Sequence, residues 1–225
     1  HEVLQEGSIN LYMFHGGTNF GFMNGCSARG TVDLPQVTSY DYDALLDEQG
    51  KPTPKYYAVK QMMATYYPEY PQMDPLVKSS LSERTLELTK KTSLFGNLNE
   101  IAQVTESLYP QTMEEIDHPL GYLLYETEVE MDAEEERLRI IDARDRVQVY
   151  ANDQLIATQY QEEIGQDLFL NGKKKTITNL KLLIENMGRV NYGHKLLADT
   201  QRKGIRTGVC IDLHFKLYWK QYALD

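Results

Sequence analysis

Two hydrophobic periods divide the chain. Between residues 54 and 67, Tyr56, Val59, Met62, Met63 and Tyr66 recur every three or four positions. That spacing puts them on one face of an amphipathic helix. Thr53 predicts its N-cap, Pro54 fits its first turn, and Pro68 and Pro71 stop it. The stripe reads as core packing rather than a cofactor box. Upstream, residues 1–7 read as the end of a helix capped at Gly7, and Ser8–Phe14 as a short buried strand. A helix tail running into such a strand is half of a βα repeat. Residues 16–39, with Gly16, Gly17, Gly21, Gly25, Gly30 and Pro35, show no clear period and read as a long loop, a length that is usually functional. Residues 45–53 read as a turn. Pro68–Ser82 carries three prolines and reads as a linker and domain boundary.

From Arg84 onward the period falls to two. Tyr122–Val129, Arg137–Ile141 and Arg146–Ala151 read as short strands, with Val147 and Val149 alternating with polar neighbours. Asn152-Asp153 is a turn, and Gln154–Tyr160 returns as the second arm of a hairpin. Asp167–Leu170, a turn at Asn171-Gly172-Lys173 and Thr176–Glu185 predict a further pair. Many short strands with regular turns indicate an antiparallel sandwich or barrel. The acidic run Asp132–Glu136 and the basic run Lys173–Lys175 read as solvated turns between strands.

Composition narrows the function classes. The 225 residues carry a net charge of -10, so no basic surplus exists to displace the counterions of nucleic acid or to meet an anionic membrane. No apolar run approaches the ~18 residues of a membrane span, and no signal peptide is evident. Cys26 and Cys210 lie far apart and read as free thiols. No Cys-x-x-Cys pair or His-Glu-x-x-His occurs, so neither a metal nor a cofactor is signalled. His15-Gly16-Gly17-Thr18 lacks the lysine and spacing of a phosphate loop, and no Gly-x-Ser-x-Gly elbow appears. His15 reads as a hydrogen-bonded structural histidine.

The candidate chemistry is a rim. Tyr40 and Tyr42 are two apart, so on an extended segment their hydroxyls share a wall opposite Asp41 and Asp43. Phe22 and Met23 would give an apolar floor to a sugar ring. In Asn186-Met187-Gly188-Arg189-Val190-Asn191-Tyr192-Gly193-His194, the asparagines read first as satisfying backbone groups and second as a rim touching ligand or another domain. No self-sufficient catalytic set can be picked out by spacing.

These residues carry a resemblance. Ile9–Asn24 and Thr38–Ala44 resemble the β-galactosidases of glycoside hydrolase family 35, bacterial members above all. Leu46-Asp47-Glu48, Gly50, Pro52-Thr53, Lys55-Tyr56, Glu185–Gly193 and Lys203–Gly208 continue the likeness in order. The resemblance implies a (β/α)8 barrel followed by all-β domains. The expected fold is therefore mainly all-β, an antiparallel sandwich or jelly-roll-like domain, preceded by the last βα unit of a barrel. On that layout residues 1–75 hold the end of helix seven, strand eight, a substrate-rim loop and helix eight. Residues 76–212 form an all-β domain, and 213–225 begin a linker or a second β domain.

The family is a retaining one that works with two glutamates. The resemblance places both before His1, so no catalytic residue is assigned within the chain, which reads as an excerpt of a longer protein and as inactive alone. It gives substrate-binding roles to Tyr40, Tyr42 and Phe22, and to Tyr192 through a loop folding back to the aglycone. The implied partners are a galactoside, the rest of the barrel or a second copy covering the helix at 54–67, and a homodimer. Nucleic acid and membrane are not implied. The compartment is open between cytoplasm, which is favoured, cell surface and secretion. The rival function is a non-catalytic carbohydrate-binding or assembly β module.

Overall fold

The computed structural model describes all residues except Asp74, Val77, Lys78, Ser80 and Asp225. Four of these fall within the linker expected at Pro68–Ser82, so that part of the expectation lies outside the described residues. The chain forms two compact units. One comprises His1–Phe20 and Val37–Thr89, the other Gly21–Gln36 and Lys90–Asp225.

The first unit is built on two helices, α1 (Glu2–Glu6) and α2 (Pro54–Tyr66). Gly7 closes α1 by donating its N–H to Val3 O at 2.8 Å, with an extended backbone rather than a left-handed one. Pro54 opens α2 and Thr53 is its N-cap, but the Thr53 hydroxyl donates to Leu45 O at 2.8 Å instead of accepting from the helix. None of the thirteen residues of α2 is fully buried. Its stripe faces a hollow of about 510 Å³ shared with Ile9, Leu11, Phe14 and Leu45. Close-packed interiors have no apolar voids of that size.

The strand expected at Ser8–Phe14 forms no ladder. Only a single bridge joins His15 to Leu46, and Tyr12 and Phe14 are exposed. A strand needs a neighbour for its amides and carbonyls, and among the described residues only the bond from the Leu46 amide to Phe14 O and the His15–Leu46 bridge meet its end.

Among the described residues, the second unit holds all the strands. They are β1 (Gly25–Arg29), β2 (Val32–Pro35), β3 (Val104–Ser107), β4 (Tyr122–Glu130), β5 (Glu135–Arg144), β6 (Arg146–Ala151) and β7 (Gln154–Tyr160). They continue as β8 (Leu168–Asn171), β9 (Ile177–Glu185), β10 (Arg189–Val190), β11 (Gly204–Ile211), β12 (His214–Phe215) and β13 (Trp219–Leu224). A six-stranded sheet runs β3-β13-β4-β9-β6-β7 and a four-stranded sheet β12-β11-β5-β8, all antiparallel. Alternate residues of each strand point inward, as a two-residue period requires. Leu123, Tyr125 and Val129 meet Leu180, Leu182 and Ile184, with Val147 and Val149 beside them, against Leu138, Ile140, Ile205 and Val209 of the other sheet. The outer face of the six-stranded sheet carries a second cluster, Leu124, Leu183, Tyr222 and Leu224. Leu98 of the short helix α3 (Leu98–Ile101) and Phe95 cover it.

Three details differ from the sequence expectation. Residues 25–35 are not loop. They form the β1–β2 hairpin around a two-residue turn with Gly30 in the left-handed region, and the hairpin belongs to the second unit. Next, β8 pairs with β5 and not with β9, because the chain crosses from one sheet to the other so that Leu170 and Leu180 are both buried. Finally, Trp219–Leu224 is no separate segment. It lies between β3 and β4, with Trp219, Tyr222 and Leu224 buried. The acidic turn is solvated except at Glu136, whose Oε1 accepts from the Asp132 and Ala133 amides inside the turn. The thiols of Cys26 and Cys210 are unpaired, and burial pushes the Cys26 thiol up.

Candidate functional site

Tyr40 and Tyr42 come together in the first unit, though not on an extended segment. Tyr42 and Asp43 both take left-handed backbone conformations, at φ 57° and 52°. Such conformations cost non-glycine residues about 1 kcal/mol or more each and persist only where neighbours fix them. Here the Tyr40 amide donates to Gly17 O at 2.9 Å, and the Ala44 amide to Asp41 O at 3.2 Å. Lys55 at the start of α2 donates to Asp43 O and pairs with its carboxylate at 2.5 Å. The two rings lie 4.9 Å apart at 43°. Gly16 makes this possible, because a Cβ there would stand 1.6 Å from Tyr40 O.

The result is a rigid seat for two phenol hydroxyls, with the Tyr42 ring 66% exposed. Each hydroxyl can donate and accept. Asp41 and Asp43 are exposed. His15 is held by Glu48 O at 3.4 Å.

Phe22 and Tyr192 belong to the second unit. Phe22 packs edge-on against Tyr122, with centroids 5.1 Å apart. Tyr192 is exposed, and its hydroxyl shares a 2.6 Å hydrogen bond with Ser27 Oγ on β1. Hydrogen bonds from Ser27 and then Arg29 lower its pKa from the ordinary tyrosine value. Sequence reasoning passed over Ser27 and Arg29 because it read their strand as loop. The signal was there, since a glycine-containing two-residue turn between alternating segments marks a hairpin.

The rest of the Asn186–His194 loop is a clasp. Asn186, fully buried, donates to Pro119 O at 3.0 Å and accepts from the Gly188 amide at 3.1 Å. Asn24 donates to Met187 O at 2.7 Å. A Cβ on Gly188 would meet Asn24 Nδ2 at 2.6 Å, and one on Gly25 would meet Asn191 Nδ2 at 2.4 Å. Beneath the clasp, Lys203 Nζ reaches both oxygens of Asp145 at 2.6 and 2.7 Å, with both side chains buried. Asp145 also accepts from the Met187 amide at 2.8 Å. Asn186 therefore satisfies backbone groups, as the first of the two readings has it. Among the described residues no group of three or more His, Cys, Asp or Glu is placed to hold a metal ion.

Comparison with known proteins bears on both units. A family model described as glycosyl hydrolases family 35 matches residues 1–66. One described as beta-galactosidase, first all-beta domain, matches residues 110–225. "Beta-galactosidase 1" of Dictyostelium discoideum is 33% identical over 96% of this chain and 36% of its own length. "Beta-galactosidase" of Xanthomonas manihotis is 33% identical over 99% and 37%, and "Beta-galactosidase 17" of Arabidopsis thaliana 34% over 98% and 33%. The chain thus spans about a third of the length of these relatives.

Proposed function

Because the chain belongs to glycosyl hydrolase family 35, we propose that its 225 residues are part of a retaining β-galactosidase that removes terminal non-reducing β-D-galactose. The observation carrying this reading is the tyrosine pair. It lies within the span matched to the hydrolase family, and Tyr42 is held in a costly left-handed backbone conformation while exposed to solvent. Tyr42 donates to a galactose hydroxyl or orients the nucleophilic carboxylate, and Tyr40 supports it.

Bond cleavage in a retaining mechanism needs one carboxyl as acid/base and another as nucleophile about 5–5.5 Å away. In this proposal both come from outside residues 1–225. The first unit is the last sector of the barrel, and the second is an accessory β domain. The remainder of the barrel fills the apolar hollow beside α2, a role that a second copy of the chain would otherwise take.

The 225-residue chain alone is expected not to hydrolyse a chromogenic β-galactoside. Turnover that disappears when a Glu within it is replaced would overturn the division of labour. In the whole enzyme, Tyr42→Phe is expected to lower kcat/KM by about tenfold to a hundredfold, the range for one hydrogen bond that strengthens in the transition state. An unchanged value would remove Tyr42 from the site.

A further inference from the structure

The outer face of the six-stranded sheet is divided. One half lies under Phe95 and Leu98. The other half is an open polar cleft of about 450 Å³, lined by Glu126 and Glu128 of β4, Asn179 of β9, Lys220 of β13, and Lys216 and Tyr218 just before β13. Register explains the grouping, since Glu126 lies opposite Lys220 and Glu128 opposite Asn179.

We propose that this cleft binds a neutral saccharide, with one hexose ring laid on Tyr218. Three observations carry the proposal. First, Tyr218 is 74% exposed and its turn is pinned, so the ring projects from a fixed backbone. Its amide donates to Leu108 O at 2.9 Å and its carbonyl accepts from Thr127 Oγ1 at 2.8 Å. The turn is also held where Trp219 Nε1 donates to Lys216 O at 2.9 Å and the Lys216 amide to Val209 O at 2.7 Å. An exposed aromatic on a fixed backbone binds the weakly polar face of a sugar at a reduced ordering cost.

Second, the polar lining is charge-balanced, with two glutamates against two lysines. A cation would meet the lysines and an anion the glutamates, whereas a hydroxyl both donates to a carboxylate and accepts from an ammonium or amide. Third, one acceptor, Glu126, is pre-set. Asn179 Nδ2 and Lys181 hold Glu126 at 2.9 and 3.1 Å. The volume lies within the ~300–1,000 Å³ of small-ligand clefts. This site does not depend on the hydrolase reading, because none of its residues belongs to the proposed galactose pocket.

The test is amide chemical-shift mapping on the 225-residue chain titrated with galactose, lactose and galacturonate. Expected are shifts at Glu128, Asn179, Tyr218 and Lys220 with a dissociation constant on the order of millimolar. Tyr218→Ala should weaken binding about tenfold or more with its other resonances in place, and Tyr57→Phe, at an exposed position of α2, should leave it unchanged. The proposal is overturned by shifts confined elsewhere, by none up to about a hundred times that concentration, or by binding that survives Tyr218→Ala. Loss of binding in Tyr57→Phe would assign the sugar to the other unit and overturn it as well. Tighter binding of galacturonate than of galactose would overturn the neutral class.

Discussion

The two units handle apolar surface in opposite ways. The second closes its own core, with seventeen buried apolar side chains forming one cluster between its sheets. The first has a helix of good pattern and start signal, yet no residue of that helix is fully buried. Both are written in equally apolar sequence. The difference is supply: the sandwich carries both of its layers, whereas among the described residues of the first unit no second layer covers the face of α2. An amphipathic pattern therefore specifies a face, and the rest of the chain decides whether that face is covered.

Charged pairs should expose this difference most strongly. Lys203–Asp145 is buried at both ends, whereas Lys55–Asp43 is 43% and 95% exposed. Removing one partner of a buried pair leaves an uncompensated charge, so Asp145→Ala should cost about 3–5 kcal/mol in chemical denaturation and loosen the 186–192 clasp. Lys55→Met should cost about 1 kcal/mol or less, because solvent already screens the pair. Equal losses at the two sites would mean that the units are not distinct in burial.

Matched apolar truncations come next. Leu182 is fully buried between the sheets, so Leu182→Ala should cost about 2–5 kcal/mol through lost transfer energy and a residual cavity. Met63→Ala on α2 should change the stability of the 225-residue chain by about 0.5 kcal/mol or less, since Met63 lines a hollow and not a core. In a protein that carries the proposed remainder of the barrel, the Met63→Ala loss should rise toward the core value. If it stays small there, nothing covers α2 and the proposed barrel partner is wrong.

The same distinction explains what could be read from the sequence. β6 begins and ends where alternation of Val147 and Val149 placed it, and β5 shows the same one-sided burial. β4, β7 and β9 lie within a few residues of expectation because turns bound them, although β4 and β9 bury residues on both faces. β13 escaped because it is central and buried on both faces. Trp219 and Gln221 point one way and Tyr222 and Leu224 the other, which erases the alternation. The partner of β8 escaped because a turn sequence does not say whether the chain stays in its sheet. At the candidate site, the proximity of Tyr40 and Tyr42 was legible from their spacing. The left-handed turn that achieves it was not, nor was the need for Gly16 to admit the Tyr40 carbonyl.

The smallest expected effect is one of pH, and it concerns the polar half of the second unit. Burial disfavours ionisation of Glu126, but hydrogen bonds from Asn179 and Lys181 and the Lys181 charge outweigh it, leaving its pKa below the usual 4.5. A carboxyl whose pKa is lower folded than unfolded binds fewer protons in the folded state. Its stabilisation is therefore complete above the unfolded value and is lost as pH falls through the folded one. Glu126→Gln should be less stable than the parent at pH 7, and the gap should narrow as pH drops below about 4.5. Lys55→Met supplies the contrast from the first unit, with a gap that is small at pH 7. If the Glu126→Gln gap is constant from pH 7 to pH 3, a range wide enough to cross ordinary carboxylate titration, then Lys181 is held by Asp153 and Asn179 and not by Glu126. Those two already bind it, at 2.7 and 2.6 Å.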